Sequence, residues 1–234
     1  MIVLAIDTAG ENCAVALARA GGSVTILARH SENIGRGQAE RLMAMVGETL
    51  AAAGLSYADL ARIAVTTGPG SFTGTRIGVA AARGLALALA IPAVGVGVLD
   101  ALIEEAGGGT GGLAVAALDA RRGEIYAKAV MPGGENGGGA TVLEAHVTTA
   151  AELAQAVADQ DCRPLTLIGS AAAETARLLA GAGVEATIAS DTACAGIDTV
   201  AALAARGGGT APPVPLYLRA PDAKPQTGLA VARK

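Results

Sequence analysis

Two aspartates, Asp7 and Asp119, each stand at the end of an apolar run that is typical of a buried strand. In two-domain ATPases, carboxylates at such positions hold a metal-bound water near a phosphate, which would make these residues part of a nucleotide site. An aspartate at a strand end also commonly caps the following turn through the backbone. The residue types and their positions leave both interpretations open.

The segment Gly68–Gly74, with the sequence GPGSFTG, joins a predicted strand to a predicted helix. We expect Gly70 or Gly74 to adopt a backbone conformation that is disfavoured for residues with a Cβ atom. Ser71 or Thr73 can cap the helix, and free amides at a helix N-terminus can bind an anion. The segment has neither the Lys-Ser/Thr pair of a Walker A loop nor GxGxxG spacing, so a structural turn remains an equal alternative. The candidate cofactor-binding residues are Asp7, Gly68, Gly70, Ser71, Arg76 and Asp119.

Residues that could hold a metal or act as nucleophiles are scarce. The two histidines, His30 and His146, form no HxxxH or HExxH motif. The three cysteines, Cys13, Cys162 and Cys194, form no CxxC pair and favour reduced thiols over a disulfide framework. We therefore predict no metal site and no catalytic residue in this chain.

The composition predicts a globular, soluble protein. Of the 234 residues, 52% are apolar and 16% are charged, which excludes a disordered chain. The longest uncharged apolar run, residues 84–99, is shorter than the roughly 20 residues of a membrane span. The N-terminus MIVLAIDTAG lacks the basic region of a signal peptide, and we expect a cytoplasmic protein.

Charge argues against a large nucleic-acid surface, because the formal net charge is −4. From Arg206 to the end, however, the chain has five basic residues and one acidic residue. This segment is either a solvated tail or a phosphate contact.

The predicted elements repeat along the chain. The first half is expected to contain strands 2–7, 13–18 and 23–29, helix 38–53, strand 63–67, helix 75–90 and strand 93–98. The second half is expected to contain strands 113–119, 124–130 and 141–146, helix 149–158, strand 165–168, helix 170–180, strand 186–189 and helix 196–205. Residues 4–17 align with residues 116–129, which places Asp7 over Asp119.

This order predicts an α/β protein with two ribonuclease H-like domains, each a mixed βββαβα(βα) sheet flanked by helices. We assign the domains to residues 1–102 and 103–210. A C-terminal tail, 211–234, is expected to pack back on the first domain.

Two helices are candidates for a partner surface. Met43 and Met45 lie off the core stripe of the first long helix, where adaptable methionines suit a partner. Gly74, Gly78 and Ala82 give the next helix a small-residue face that permits close helix crossing. Ordinary core packing is the alternative. The predicted interface residues are Gln38, Met43, Met45, Gly74, Gly78 and Ala82.

Four segments resemble the TsaB (YeaZ) family, of the actin-like ATPase and glycoprotease-like superfamily. They are IVLAIDTAGENCAVAL (2–17), GPGSFTGTRIGVAAARGLALA (68–88), DARRGEIYA (119–127) and PLYLR (215–219). They occur in the family's order and span nearly the whole chain. One departure is Gln38, where many relatives have a histidine.

The resemblance implies a non-catalytic activating and dimerisation subunit of the complex that transfers a threonylcarbamoyl group to adenosine 37 of tRNA. It implies a TsaD-type catalytic paralogue and a TsaE-type ATPase as partners, a homodimer when the chain is alone, and contact with tRNA only through the complex. ATP or ADP and metal are expected on the partner subunits, with no cofactor in this chain. The alternative is a sugar-kinase-like ATP-binding enzyme or a glycoprotease-like peptidase, although the second-domain candidate loop, residues 167–170, has only one glycine.

Overall fold

The computed structural model describes residues 1–35, 37–107, 112–131, 139–160 and 162–219. Two five-stranded mixed sheets, flanked by helices, confirm the predicted fold class. The strands are β1 (Ile2–Asp7), β2 (Asn12–Ala20), β3 (Val24–Asn33), β4 (Leu60–Thr66), β5 (Ala93–Val96), β6 (Leu113–Arg121), β7 (Glu124–Met131), β8 (Ala140–Thr148), β9 (Leu165–Ile168) and β10 (Thr187–Ser190). The helices are α1 (Gln38–Ala52), α2 (Phe72–Leu89), α3 (Val98–Glu105), α4 (Ala150–Ala158), α5 (Ala172–Gly181) and α6 (Ile197–Ala205), with a short 3-10 helix at Tyr57–Asp59.

The two sheets have the same topology, as the sequence repeat predicts. Their orders are β3-β2-β1-β4-β5 and β10-β9-β6-β7-β8. The apolar strands β1 and β6 are central, each antiparallel to the next strand and parallel to the strand that follows the first helix of its half. Asp7 and Asp119 therefore occupy equivalent places at the carboxyl ends of the two central strands.

The helices α3 and α6 link the two halves. Helix α3 follows the first sheet but packs on β6 and β7, whereas α6 follows the second sheet and packs on β1, β2 and β3. Small side chains such as Ala16, Ala116 and Ala201 fill this shared core and permit close approach. The expected boundary between residues 102 and 103 falls inside α3, and the predicted strand 93–98 ends two residues early because α3 begins at Val98.

Helices α1 and α2 cover the opposite face of the first sheet. Ser71 caps α2, accepting from the Gly74 amide at 3.1 Å, so the predicted cap is confirmed although the helix begins three residues before the expected Thr75. The predicted outward face of these helices is wrong. Met45 is fully buried against the sheet, and Gly78 and Ala82 also face it, because a Cβ atom at Gly78 would lie 2.5 Å from Thr8 Oγ1.

The described part of the C-terminal tail runs along the first sheet. Thr210 exchanges backbone hydrogen bonds with Gly95 on β5, at 2.7 and 2.9 Å. Further along, the Leu216 amide donates to the Thr67 carbonyl at 2.7 Å, which brings the PLYLR segment to the start of α2. Residues 220–234 of the predicted tail, and residues 132–138 between the predicted strands 124–130 and 141–146, lie outside the described residues. Where the structure describes the chain, it contains no helix long and apolar enough to cross a membrane.

Candidate functional site

A cleft opens between the carboxyl ends of the two central strands. It has a volume of about 260 Å³ and continues into a groove of about 860 Å³ that passes between the two halves. Asp7 and Asp119 both line it, so the structure brings together the two carboxylates that the repeat places in equivalent positions. Gly70 of the GPGSFTG segment and Cys194 complete the walls near Asp7.

Asp7 is a buried turn cap. Its Oδ1 accepts from the Ala9 amide at 2.8 Å and from Thr66 Oγ1 at 2.5 Å. Burial raises the pKa of Asp7 above its usual range, and the two hydrogen bonds oppose that rise. Asp7 Oδ1 is thus the acceptor for two protein donors that hold the turn.

Asp7→Asn is expected to flatten the pH dependence of stability. Because the pKa of Asp7 is raised, the folded chain keeps a proton that the unfolded chain releases, so stability falls as the pH rises from the ordinary Asp value of about 4 towards the folded value. Asparagine retains the accepting oxygen and carries no charge. In thermal melts between pH 4 and 8, the Tm of the variant should increase relative to the Tm of the wild type as the pH rises.

Asp7→Leu is the matched control, since it removes both charge and acceptor and should destabilise the fold at every pH. If Asp7→Asn differed from the wild type by the same amount throughout the range, Asp7 would not be the titrating group.

Asp119 also caps a turn in the second half of the chain, but unlike Asp7 it is exposed to solvent. Its Oδ1 accepts from the Arg121 amide at 2.7 Å, and its own amide donates to Ser170 Oγ at 3.0 Å. Arg121 and Arg122 have φ values of 64° and 60°, so the turn after β6 is tight. In both aspartates Oδ1 accepts a hydrogen bond from the amide two residues later, which is the turn-capping role that the sequence allowed.

The GPGSFTG segment is fastened to the turn between β1 and β2. A Cβ atom at Gly70 would lie 2.3 Å from the Ala9 carbonyl oxygen, and one at Gly74 would lie 2.0 Å from the Thr8 carbonyl oxygen. The predicted backbone conformation is wrong for both residues, because the left-handed φ in this segment, 100°, belongs to Gly68. Close backbone approach is what requires glycine at Gly70 and Gly74.

Two of the residues proposed for phosphate binding, Ser71 and Arg76, have protein partners. The Ser71 amide donates to the Ala9 carbonyl at 2.6 Å, and the Ser71 hydroxyl accepts from Gly74. Arg76 Nε donates to Tyr217 Oη at 2.7 Å, and its guanidinium lies 3.7 Å from the centroid of the Phe72 ring. Sequence reasoning missed this cluster, although the PLYLR segment that supplies Tyr217 was a visible signal.

Gln38 connects α1 to the same turn. Its buried side chain donates from Nε2 to the Gly10 carbonyl at 3.0 Å, while Thr8 Oγ1 donates to the Gly74 carbonyl at 2.7 Å. The turn that lines the cleft is therefore held at the start of both α1 and α2. Gln38 contributes to this framework and not to the exposed surface on which it was predicted.

An ion-pair network that the sequence did not predict joins β3 to α1. Ligand atoms of His30, Glu32 and Glu48 lie within 4.8 Å of one another, which is close enough for a metal ion. Arg41, however, pairs with Glu32 at 2.5 Å and with Glu48 at 2.7 Å, and these hydrogen bonds lower the pKa of both carboxyls. The guanidinium thus supplies the positive charge that a cation would otherwise bring.

The outward face of α1 and α2 carries exposed apolar and small residues beside the charged Glu40, Glu48 and Arg83. Leu87 is 85% exposed and Met43 is 44% exposed. Nothing lies within 4 Å of a Cβ atom built at Gly47 on α1 or Gly84 on α2. Of the six predicted interface residues, Met43 alone is exposed, so the outward face carries a different set of small residues from the one predicted.

The sequence of this chain is similar to a described family model and to proteins of several bacteria. Residues 27–160 match the family model described as "TsaD: tRNA N6-adenosine threonylcarbamoyltransferase". The tRNA threonylcarbamoyladenosine biosynthesis protein TsaB of Escherichia coli is 44% identical over 127 residues, covering 54% of this chain and 53% of that protein. The match thus spans about half the length of that relative. An uncharacterised protein of Mycobacterium tuberculosis is 38% identical over 223 residues, covering 95% of this chain and 94% of that protein.

Solved structures agree with this similarity. YeaZ from Pseudomonas aeruginosa superimposes with a TM-score of 0.70 at 26% identity, covering 93% of this chain and 99% of that one. A second structure, described as similar to the peptidase YEAZ, has a TM-score of 0.72 at 28% identity, with the same coverage. Both likenesses extend over the two sheets.

Proposed function

This chain belongs to the TsaB (YeaZ) family, and from that premise we propose that it acts in tRNA threonylcarbamoyladenosine biosynthesis as a non-catalytic, dimer-forming subunit. In this proposal it activates a TsaD-type catalytic paralogue that transfers the threonylcarbamoyl group. A TsaE-type ATPase joins the pair, and tRNA meets the chain only within the complex. ATP or ADP and metal belong to the partner subunits.

The observation that carries the proposal is the outward face of α1 and α2. Leu87, which is 85% exposed, and Met43, which is 44% exposed, together leave apolar surface in water that a partner could cover. Gly47 and Gly84 leave room beside it for a second pair of helices to approach closely. Two such helices from each subunit would form a four-helix contact, with the catalytic paralogue or with a second copy of this chain.

The cleft supports a non-catalytic role. Asp7 is buried and its Oδ1 accepts two hydrogen bonds, while the Ser71 amide donates to the Ala9 carbonyl and the Gly74 amide donates to the Ser71 hydroxyl. The remaining cleft carboxylate, Asp119, accepts from the turn that follows it. The juxtaposition of Asp7 and Asp119 is the one observation that favours the alternative, an ATP-hydrolysing enzyme of the sugar-kinase type.

The purified chain alone is expected to hydrolyse no ATP and no peptide above background, because its cleft residues are committed to structural hydrogen bonds. Steady-state phosphate release over extended incubation measures the first activity, and cleavage of a labelled casein measures the second. Turnover that survives repeated chromatography and is lost in Asp119→Ala would establish the enzymatic alternative.

Assembly is tested by co-purification. A tagged chain, co-expressed with the catalytic paralogue from the same genome, should elute from size-exclusion chromatography as a 1:1 complex, and alone it should elute as a dimer. If the two chains separated at micromolar concentration and this chain remained monomeric when alone, the subunit role would be wrong.

A further inference from the structure

The start of α2 carries an exposed aromatic cluster that the partner contact does not use. The sequence has one Phe, three Tyr and no Trp, and two of these four rings meet on the surface. Phe72 is 55% exposed and Tyr217 is 47% exposed. Burying such rings would stabilise the fold by about 2 kcal/mol each, so leaving both exposed forgoes a substantial gain.

The cluster is rigid. The Phe72 and Tyr217 ring centroids are 5.2 Å apart, with the rings inclined at 37°. The Arg76 guanidinium lies over the Phe72 ring and donates to Tyr217 Oη, while the Leu216 amide fixes the tail to Thr67. A platform of two rings and one planar cation is thus held in place before any ligand arrives, which reduces the ordering entropy lost on binding.

The charge around the platform is positive, although the chain as a whole is negative. No acidic residue occurs between Asp59 and Asp100, a stretch that includes all of α2 with Arg76 and Arg83. The two arginines of the described segment after α6, Arg206 and Arg219, pair with Glu104 and Glu124, so the positive charge at this surface is that of Arg76 and Arg83 on α2. A negatively charged partner is therefore favoured at this surface.

The platform opens onto the groove of about 860 Å³ between the two halves. Phe72, Asn12 and Asn33 line the groove together with Arg121 and Arg219. The carboxylates Glu11 and Asp119 also line it, and Arg219 is paired with Glu124. The volume of the groove is in the range of ordinary ligand sites. Along α2, Phe72 is about 22 Å from Leu87, so the groove is separate from the proposed helix contact.

We propose that the Phe72–Arg76–Tyr217 platform binds a single-stranded segment of RNA, with bases stacked on the rings and on the guanidinium. Aromatic faces and arginine planes stack with any base, and neighbouring arginines neutralise the phosphates. Flat exposed rings beside an open groove suit bases better than they suit an acidic protein segment, which is the competing occupant. The choice of RNA over other single-stranded nucleic acid rests on the proposed function.

The test is a fluorescence-anisotropy titration with a labelled tRNA anticodon stem-loop. It is run on the complex with the catalytic paralogue, where the proposed function places tRNA. It is also run on the chain alone at protein concentrations high enough to detect weak binding outside the complex, because this chain builds the whole platform. Phe72→Ala and Tyr217→Ala should each weaken binding about tenfold. Arg76→Gln should also lower the slope of log affinity against log salt by about 0.7, whereas Arg76→Lys should weaken stacking with the slope retained.

Ile188→Ala is the matched control, since Ile188 is 42% exposed on β10 and does not line the groove, and its replacement should leave RNA affinity unchanged. Ring variants that bind RNA within twofold of the wild type would overturn the inference, as would a wild type that binds no RNA in either form. Ring variants that no longer bind the catalytic paralogue but keep their affinity for RNA would show that the platform is a protein contact instead. Failure of the complex to assemble would contradict the proposed function, and the chain-alone titration would still decide this inference.

Discussion

Gly74→Val is expected to destabilise the fold by about 3 kcal/mol and to lower Tm by about 6 to 12 °C. A Cβ atom at this position would lie 2.0 Å from the Thr8 carbonyl oxygen, and a backbone oxygen at the end of a central strand cannot move aside cheaply. The variant must therefore shift α2 away from β1 or break the Thr8–Gly74 hydrogen bond. Thermal melting followed by circular dichroism measures the change.

Gly84→Ala is the control within the same helix. Nothing lies within 4 Å of a Cβ atom at Gly84, and alanine is favoured over glycine in a helix by up to about 1 kcal/mol, so this variant should melt at the same temperature or slightly higher. If Gly74→Val melted at the same temperature as Gly84→Ala, the close contact between α2 and the β1–β2 turn would not exist in solution.

Leu87→Glu is expected to weaken association with the catalytic paralogue by at least about 30-fold, and self-association similarly. The side chain is 85% exposed in the isolated chain, so the variant should fold normally, yet it would place a charge in the centre of the proposed helix contact. Analytical ultracentrifugation and biolayer interferometry measure the two associations. The unchanged circular dichroism spectrum serves as the folding check.

Ile188→Glu tests whether any added surface charge has the same effect. Ile188 is an exposed aliphatic side chain on β10, in the other half of the molecule, and its replacement should leave both associations intact. Equal affinities for Leu87→Glu and the wild type would move the interface away from the outward face of α2.

The sequence repeat predicted the framework of the site. Equivalent apolar runs ending in Asp7 and Asp119 were enough to infer two matching sheets, and the structure brings both residues to one cleft. The exchange of α3 and α6 between the halves was not predictable in the same way. Which sheet a helix covers depends on tertiary packing, and the alanine-rich shared core gives α6 no periodicity that distinguishes one sheet from the other.

The small residues of α2 show why their spacing alone predicted the wrong face as the partner surface. Small residues recur every four positions on two different faces, one through Gly78 and Ala82 and the other through Ala80 and Gly84. The sheet needs the first face, because β1 approaches α2 too closely for larger side chains. Only the positions of Thr8 and Val65 beneath Gly78, which are set by the fold, decide between them.

The function of the cleft was similarly undetermined in the sequence. A strand-end aspartate serves equally well to hold a metal-bound water or to cap a turn, and the choice depends on which donors surround it. For Asp7 these donors are Ala9, two residues away, and Thr66, which lies on a neighbouring strand. The second of these becomes visible only when the sheet is assembled.

The most direct test of the account is the amount of threonylcarbamoyladenosine formed on unmodified tRNA by purified components, measured by mass spectrometry of digested nucleosides. We predict that the catalytic paralogue and the ATPase, supplied with ATP and an activated threonylcarbamoyl donor, form the product only when this chain is added. We also predict that Leu87→Glu abolishes the stimulation and that Asp119→Ala retains it. Full modification without this chain, or with Leu87→Glu at the same concentration as the wild type, would contradict the account.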